Sequence, residues 1–119
     1  MGVYGFRKQF VPFILSGEKT HTIRAIRAHP DKPGNMLHLY TGLRQKGARL
    51  LMRVPCVRIE EISVAADGLV EIEGVELSPS EREAFAKRDG FPGGWSEMFQ
   101  FWSSNHRLPF QGHVIHWEK

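Results

Sequence analysis

From Ala48 to Ile62 runs the longest strand signal in the chain, and the rest has to fold around it. Leu50, Met52, Val54 and Cys56 share one parity, with Leu51 on the other, so a mostly period-two face is bent near Pro55. Shorter extended segments accompany it: Val3 to Phe6, Thr20 to Ile26, Met36 to Tyr40 and, closing the chain, Phe110 to Trp117. Leu69 to Leu77 reads as one further strand after the Ala65-Ala66-Asp67-Gly68 turn, with its acids facing water. The helices are short. Arg7 to Ser16 reads as one, with Pro12 tolerated if it lies in the first turn, and Gly17 stands where a left-handed residue would stop it. Ser78-Pro79-Ser80-Glu81 carries a cap, a first-turn proline and the acid of a capping box, predicting a helix to about Arg88 that ends at Asp89-Gly90. A third, about Trp95 to Ser104, spaces Met98, Phe99 and Trp102 on one face. The pattern predicts a mainly β protein with short helices (α+β), a small barrel or curled sheet and not a doubly wound α/β fold.

At 119 residues the chain suits one domain over 1–119, with no linker, repeat or low-complexity tract to divide it. Apolar runs are only a few residues long, which argues against a membrane span, and the first residues lack the order of a signal peptide. One cysteine, Cys56, fits a reducing cytoplasm and reads as a small buried residue. Charge is segregated: residues 1–58 carry eleven Lys and Arg against two acids, whereas residues 59–119 carry five against eleven. Such a split produces a basic face that attracts polyanions, unless the halves interleave in space and cancel.

The densest functional chemistry follows Gly17. Glu18-Lys19-Thr20-His21-Thr22-Ile23-Arg24 puts a lysine, two hydroxyls, a histidine and an arginine into a few residues entering a strand. A spacing of three puts Lys19 and Thr22 on opposite faces of a regular strand, so both reach one cleft only if Lys19 lies in the turn. Arg24 shares the parity of Thr22 and suits a bidentate contact with a phosphate or base edge, or a carboxylate across the barrel. His21 has the other parity and reads as a surface or core-edge histidine.

These residues resemble the ASCH domain of the PUA-like superfamily. The resemblance rests on Gly17-x-Lys19-x-x-Thr22-Ile23-Arg24 and on Lys32-Pro33-Gly34 before Leu37-His38-Leu39-Tyr40. Phe85-Ala86-x-x-Asp89-Gly90-Phe91 and Glu97-Met98-Phe99-x-Phe101-Trp102 support it, and it covers nearly the whole chain. It implies a β-barrel with a cleft beside the lysine motif and a role in RNA or nucleoside recognition. Some ASCH proteins are similar to amidohydrolases that deacetylate N4-acetylcytidine, using a lysine, a threonine and a glutamate; others are reported as ribonucleases. The lysine and threonine fall at Lys19 and Thr22, and the acid at about Asp89, one methylene shorter than the family's glutamate.

On chemical grounds alone, a threonine hydroxyl becomes nucleophilic when a neighbour takes its proton, and a partly buried lysine can have a pKa low enough to do so. Asp89 would hold that lysine or shuttle a proton. Lys19 could equally anchor a phosphate or an internal salt bridge. Tyr40, Phe91 and Trp95 are candidate stacking surfaces, the last two because they lie in a glycine-rich loop, while Phe13, Phe85, Phe99, Trp102 and Trp117 are expected inside. Arg44, Lys46 and Arg49 form a basic loop suited to phosphates, or a solvated hairpin tip. No metal-ligand spacing, phosphate-cradling glycine motif, dinucleotide fingerprint or nucleophile elbow is present, so no cofactor or metal is expected. Three functions from different classes follow: an RNA- or nucleoside-binding module, a hydrolase, and a protein-interaction module using the acidic half.

Overall fold

The computed structural model describes residues 2–43 and 46–118. Its spine is a sixteen-residue strand, β4 (Arg49–Val64), longer at its C-terminal end than the sequence pattern predicts. The first half of β4 pairs antiparallel with β3 (Met36–Thr41), and from Cys56 onward it pairs with β7 (Phe110–Trp117). A register shift between Cys56 and Arg58 lets the strand turn the corner, as an extra residue in a ladder does. β1 (Gly2–Phe6) adds in parallel to β3, and β2 (His21–Ala25) adds antiparallel to β7. Going round, the order is β1-β3-β4-β7-β2, a curled half-barrel in a mainly β protein with short helices.

β1 and β2 face each other across a seam where side chains do the work of a ladder. Arg24 donates through one terminal nitrogen to the Gly5 carbonyl at 2.8 Å, and Arg27 donates to the Val3 carbonyl at 3.1 Å. Unpaired carbonyls of a free strand edge are thereby satisfied, and the edge is closed to further strands. Tyr4, Phe6, Leu37, Leu39, Val54, Ile62, Val64, Val114, Ile115 and Trp117 fill the interior. The hydroxyl of Tyr4 donates to Asp31, tying the loop before β3 to the first strand.

Two elements differ from the sequence reading. The segment from Leu69 to Leu77 is not one strand but a hairpin, β5 (Val70–Ile72) and β6 (Val75–Glu76). Glu73 and Gly74 both take positive φ, 52° and 77°, the geometry of a two-residue turn whose twist suits a hairpin. The first helix is likewise in two parts, a 3-10 turn at Lys8–Phe10 and then α1 (Val11–Ser16), with Pro12 in the first turn of α1. Phe13 is only half-buried, because Ile14 takes the core-facing position on so short a helix.

α2 (Pro79–Arg88) opens with the expected capping box: the Ser78 hydroxyl accepts from Glu81 N–H, and the Glu81 carboxylate accepts from Ser78 N–H. α3 (Trp95–Asn105) starts without a cap of its own. Glu83 of α2 supplies one, accepting from Trp95 N–H at 2.7 Å and placing a carboxylate at the positive end of α3. Gly94 lets that carboxylate approach. Its φ of 79° and ψ of −154° lie in a region essentially reserved for glycine, and an added Cβ would overlap the Glu83 carboxylate. Gly94→Ala is therefore expected to cost about 2–4 kcal/mol, strain and lost cap together. A loss under about 1 kcal/mol in urea denaturation would contradict this account of how α3 is held.

Candidate functional site

Three segments converge beside the seam, and local structure delivers each side chain. Gly17, at φ 86°, stops α1 in the left-handed conformation, and Lys19 N–H then bonds to the Phe13 carbonyl at 2.9 Å. Lys19 is held in that turn, two residues before β2 begins, so its side chain escapes strand alternation and points inward. α2 ends at Asp89, followed by Gly90 at φ 99°. Lys19 Nζ donates to both the Asp89 backbone carbonyl and Asp89 Oδ1, each at 2.7 Å. One ammonium thus caps the negative end of α2 and neutralises the carboxylate that stands there.

Both partners are almost wholly buried, with side-chain exposures of 3% and 7%. Burial works to raise the pKa of Asp89, but the Lys19 ammonium and His21 outweigh it and hold the carboxyl below its usual range. Burial lowers the pKa of Lys19, and Asp89 offsets that only in part. The rings of Phe10 and Phe6 lie 5.1 and 5.9 Å from Lys19 Nζ, within cation–π range.

Thr22 sits on β2 in the same cleft. Arg24 Nε donates to Thr22 Oγ1 at 3.1 Å, leaving the hydroxyl proton free to be given elsewhere. Arg24 thus contacts Thr22 and a backbone carbonyl, and its guanidinium lies 4.9 Å from the Phe6 ring. The cleft has a volume of about 260 Å³, and Lys19, Thr22, Arg24, Asp89 and Phe91 all line it. Phe6 and Phe10 add apolar wall, while Phe101, Trp102, Asn105 and His106 from α3 and its end form the rim. Arg7 spans the mouth, donating to Asn105 Oδ1 at 2.7 Å with its guanidinium 5.0 Å from the Phe101 ring. Next to this cleft runs an open groove that shares Gly5, Phe6, Arg7 and Arg24 with it. Arg7, Lys8, Arg24, Arg27 and Lys46 line the groove, and no acid is among its described lining residues.

Several sequence expectations are placed elsewhere. Phe91 is not an exposed stacking surface: it is 2% exposed, set edge-on to Phe10 with ring centroids 5.4 Å apart, and forms cleft wall. Trp95 does not line the cleft; it stacks on Phe99 beneath the Arg82 guanidinium at the start of α3. Tyr40, half-buried on β3 opposite Gly5 and Leu50, does not line it either. Lys46 belongs to the groove, Arg49 is exposed at the start of β4, and Arg44 lies outside the described residues. Cys56 is buried, and burial raises its thiol pKa, which makes it a poor nucleophile.

His21 is the main residue that parity reasoning misplaced. It is 2% exposed, stacked on Phe85 with centroids 4.8 Å apart, and its Nε2 lies 3.1 Å from Asp89 Oδ1. The contact is close enough for a charge interaction but out of line for a hydrogen bond, so Nε2 is a buried nitrogen without an aligned partner. Alternation identified two faces of β2 but assumed that one met water; α2 covers it. Among the described residues no group of three or more His, Cys, Asp and Glu could hold a metal ion, and no helix is long and apolar enough to cross a membrane. Comparison with family models, curated proteins and solved structures returns no match for this chain.

Proposed function

We propose that this protein is an ASCH-type, PUA-like domain that binds RNA, seating one nucleoside in the cleft and laying the adjoining strand along the basic groove. The observation that carries this reading is the continuity of the two surfaces, joined through Gly5, Phe6, Arg7 and Arg24. A cleft of about 260 Å³ is near the small end of ligand sites and suits a single base, not a helix. The aromatic side chains of Phe6, Phe10 and Phe101 favour a base, while a groove whose described charged residues are all cationic favours phosphates. A single cysteine, Cys56, with no second to pair with, suits a reducing, cytoplasmic setting.

Binding of a short fluorescent single-stranded oligoribonucleotide, followed by anisotropy at several salt concentrations, tests the proposal. The logarithm of affinity is expected to fall linearly with the logarithm of salt, by about 0.7 per phosphate neutralised. Lys8→Ala and Lys46→Ala, both exposed on the groove, should each flatten that slope by about 0.7. Affinity indifferent to salt, or slopes unchanged in both variants, would count against the groove as the strand's path.

One observation favours a second reading, hydrolysis. A lysine whose proton affinity is lowered by burial shares the cleft with a hydroxyl whose proton is uncommitted. Neutral Lys19 would accept the Thr22 proton as Thr22 Oγ1 attacks the acyl carbon of an N4-acetylcytidine-type amide, with Asp89 holding Lys19 in place. The C–N bond would break as that proton passes to the leaving N4 amine, and water would then release acetate from the acyl-threonine.

A further inference from the structure

Asp89 Oδ1 is met by two nitrogen bases and not one: Lys19 Nζ at 2.7 Å and His21 Nε2 at 3.1 Å. All three side chains are at least nine-tenths buried. A single negative charge in a dry site stabilises a single positive one, because a second buried cation would stand uncompensated. We infer that His21 is the positioning residue of this site, competing with Lys19 for Asp89 so that the proton given up by Lys19 Nζ can be held on the His21 imidazole.

The exchange balances. Lysine ammonium and neutral imidazole become lysine amine and imidazolium, and the trio keeps one positive and one negative charge throughout. Nε2 has no aligned partner as the ring stands, and a small rotation of the imidazolium would turn Nε2–H onto Oδ1, 3.1 Å away. The ring of His21 is enclosed on both sides. Phe85 of α2 lies flat against one ring face, and His116 of β7 stands opposite on the paired strand, with ring centroids 5.5 Å apart. His116 Nε2 lies 2.6 Å from Glu60 Oε1 on β4, and Glu60 in turn faces the exposed Arg58 at 3.4 Å. Burial, opposed only in part by the Glu60 hydrogen bond, holds His116 below its usual imidazole range, so a positive charge on His21 would meet no second one there. Burial also lowers the proton affinity of Lys19, which makes it the readier donor.

Use of this exchange in chemistry rests on the hydrolytic reading, but the competition does not, so it is tested on the free protein. In Lys19→Met the His21 ring becomes the basic group in contact with Asp89 Oδ1, and Arg24 acts on that carboxylate only from farther off. The NMR titration midpoint of His21 is expected to move up by about 1 pH unit or more relative to wild type. Thermal stability of that variant should then rise as pH falls through the new midpoint, since the folded state binds a proton that the unfolded state binds less tightly. Adding His21→Phe to Lys19→Met should abolish that gain on acidification. A midpoint unmoved by Lys19→Met, or a Lys19→Met protein that remains unfolded at acid as well as neutral pH, would overturn the proposal. So would a stability profile unchanged by the second substitution. Loss of RNA binding with the titration shift intact would instead count against the proposed function alone.

Discussion

Asp89→Ala is expected to destabilise this protein by about 3–5 kcal/mol, the usual cost of removing one member of a buried ion pair. The loss exceeds that of a hydrogen bond because Lys19 would remain among Phe6, Phe10 and Phe91 with no carboxylate beside it. Urea denaturation of Asp89→Ala, Lys19→Met and the double variant Lys19→Met/Asp89→Leu checks this. The double variant should recover most of the loss, since two apolar side chains of similar volume leave no charge uncompensated. A cost below about 1 kcal/mol for Asp89→Ala would mean that the pair is not ionised or not buried in solution.

The same substitution should change how stability depends on pH. In wild type the Asp89 pKa is depressed in the fold from its ordinary 3.8, so its contribution is complete above that value and is lost as pH falls through the folded one. In Asp89→Ala that acid-side contribution disappears. Lys19, buried and unpaired, then has a folded pKa far below its ordinary 10.5, and the unfolded chain binds more protons between the two values. Stability of the variant should therefore climb as pH rises through that window.

Thr22→Ala is expected to separate binding from chemistry. The substitution removes one hydroxyl that accepts a single bond from Arg24, a structural loss of about 0.5–1.5 kcal/mol, and leaves Arg24 bonded to Gly5. On the proposed reading RNA is held by groove charge and aromatic side chains, so its affinity should stay within about twofold. Turnover of N4-acetylcytidine, where the wild type shows it, should fall by at least about 10²–10⁴-fold, because no other group in the proposed mechanism supplies the attacking oxygen. Chromatography of the products reads the result. Turnover that survives the substitution would remove Thr22 as nucleophile, and a wild type inert toward this substrate but binding RNA would leave the binding module standing.

Much of the architecture was legible because its causes are local. The long strand β4, the Gly17 stop and the Ser78 capping box each depend on residues within a few positions of one another, although the alternation of β4 buries Val54 and Cys56 and leaves Leu50 exposed. Alternation puts Thr22 and Arg24 on one side of β2 and brings Lys19 to them only on the condition that it lies in the turn, which is where the structure has it, so these three are candidates from the sequence alone. Motif resemblance supplied Asp89; nothing local marks the residue after α2 as the partner of a lysine seventy positions earlier.

Errors arose where burial depends on what covers a face. Alternation separates two faces of a strand but does not say which meets solvent, so parity alone reads His21 as a surface or core-edge residue, although α2 lies over it. Phe91, in a glycine-rich loop, was read as open because such loops usually are; here it closes against Phe10. Local sequence therefore determined most of the elements and the charge bias of the first half, but not the hairpin within Leu69 to Leu77 or the division of the first helix. Only the tertiary structure decided that Lys19 and His21 share one carboxylate oxygen and that Arg24 and Arg27 close the seam. It also decided that the cleft and the basic groove are one surface. The physical reason is that periodicity and capping act over a few bonds, whereas desolvation and charge pairing depend on neighbours brought together from across the chain.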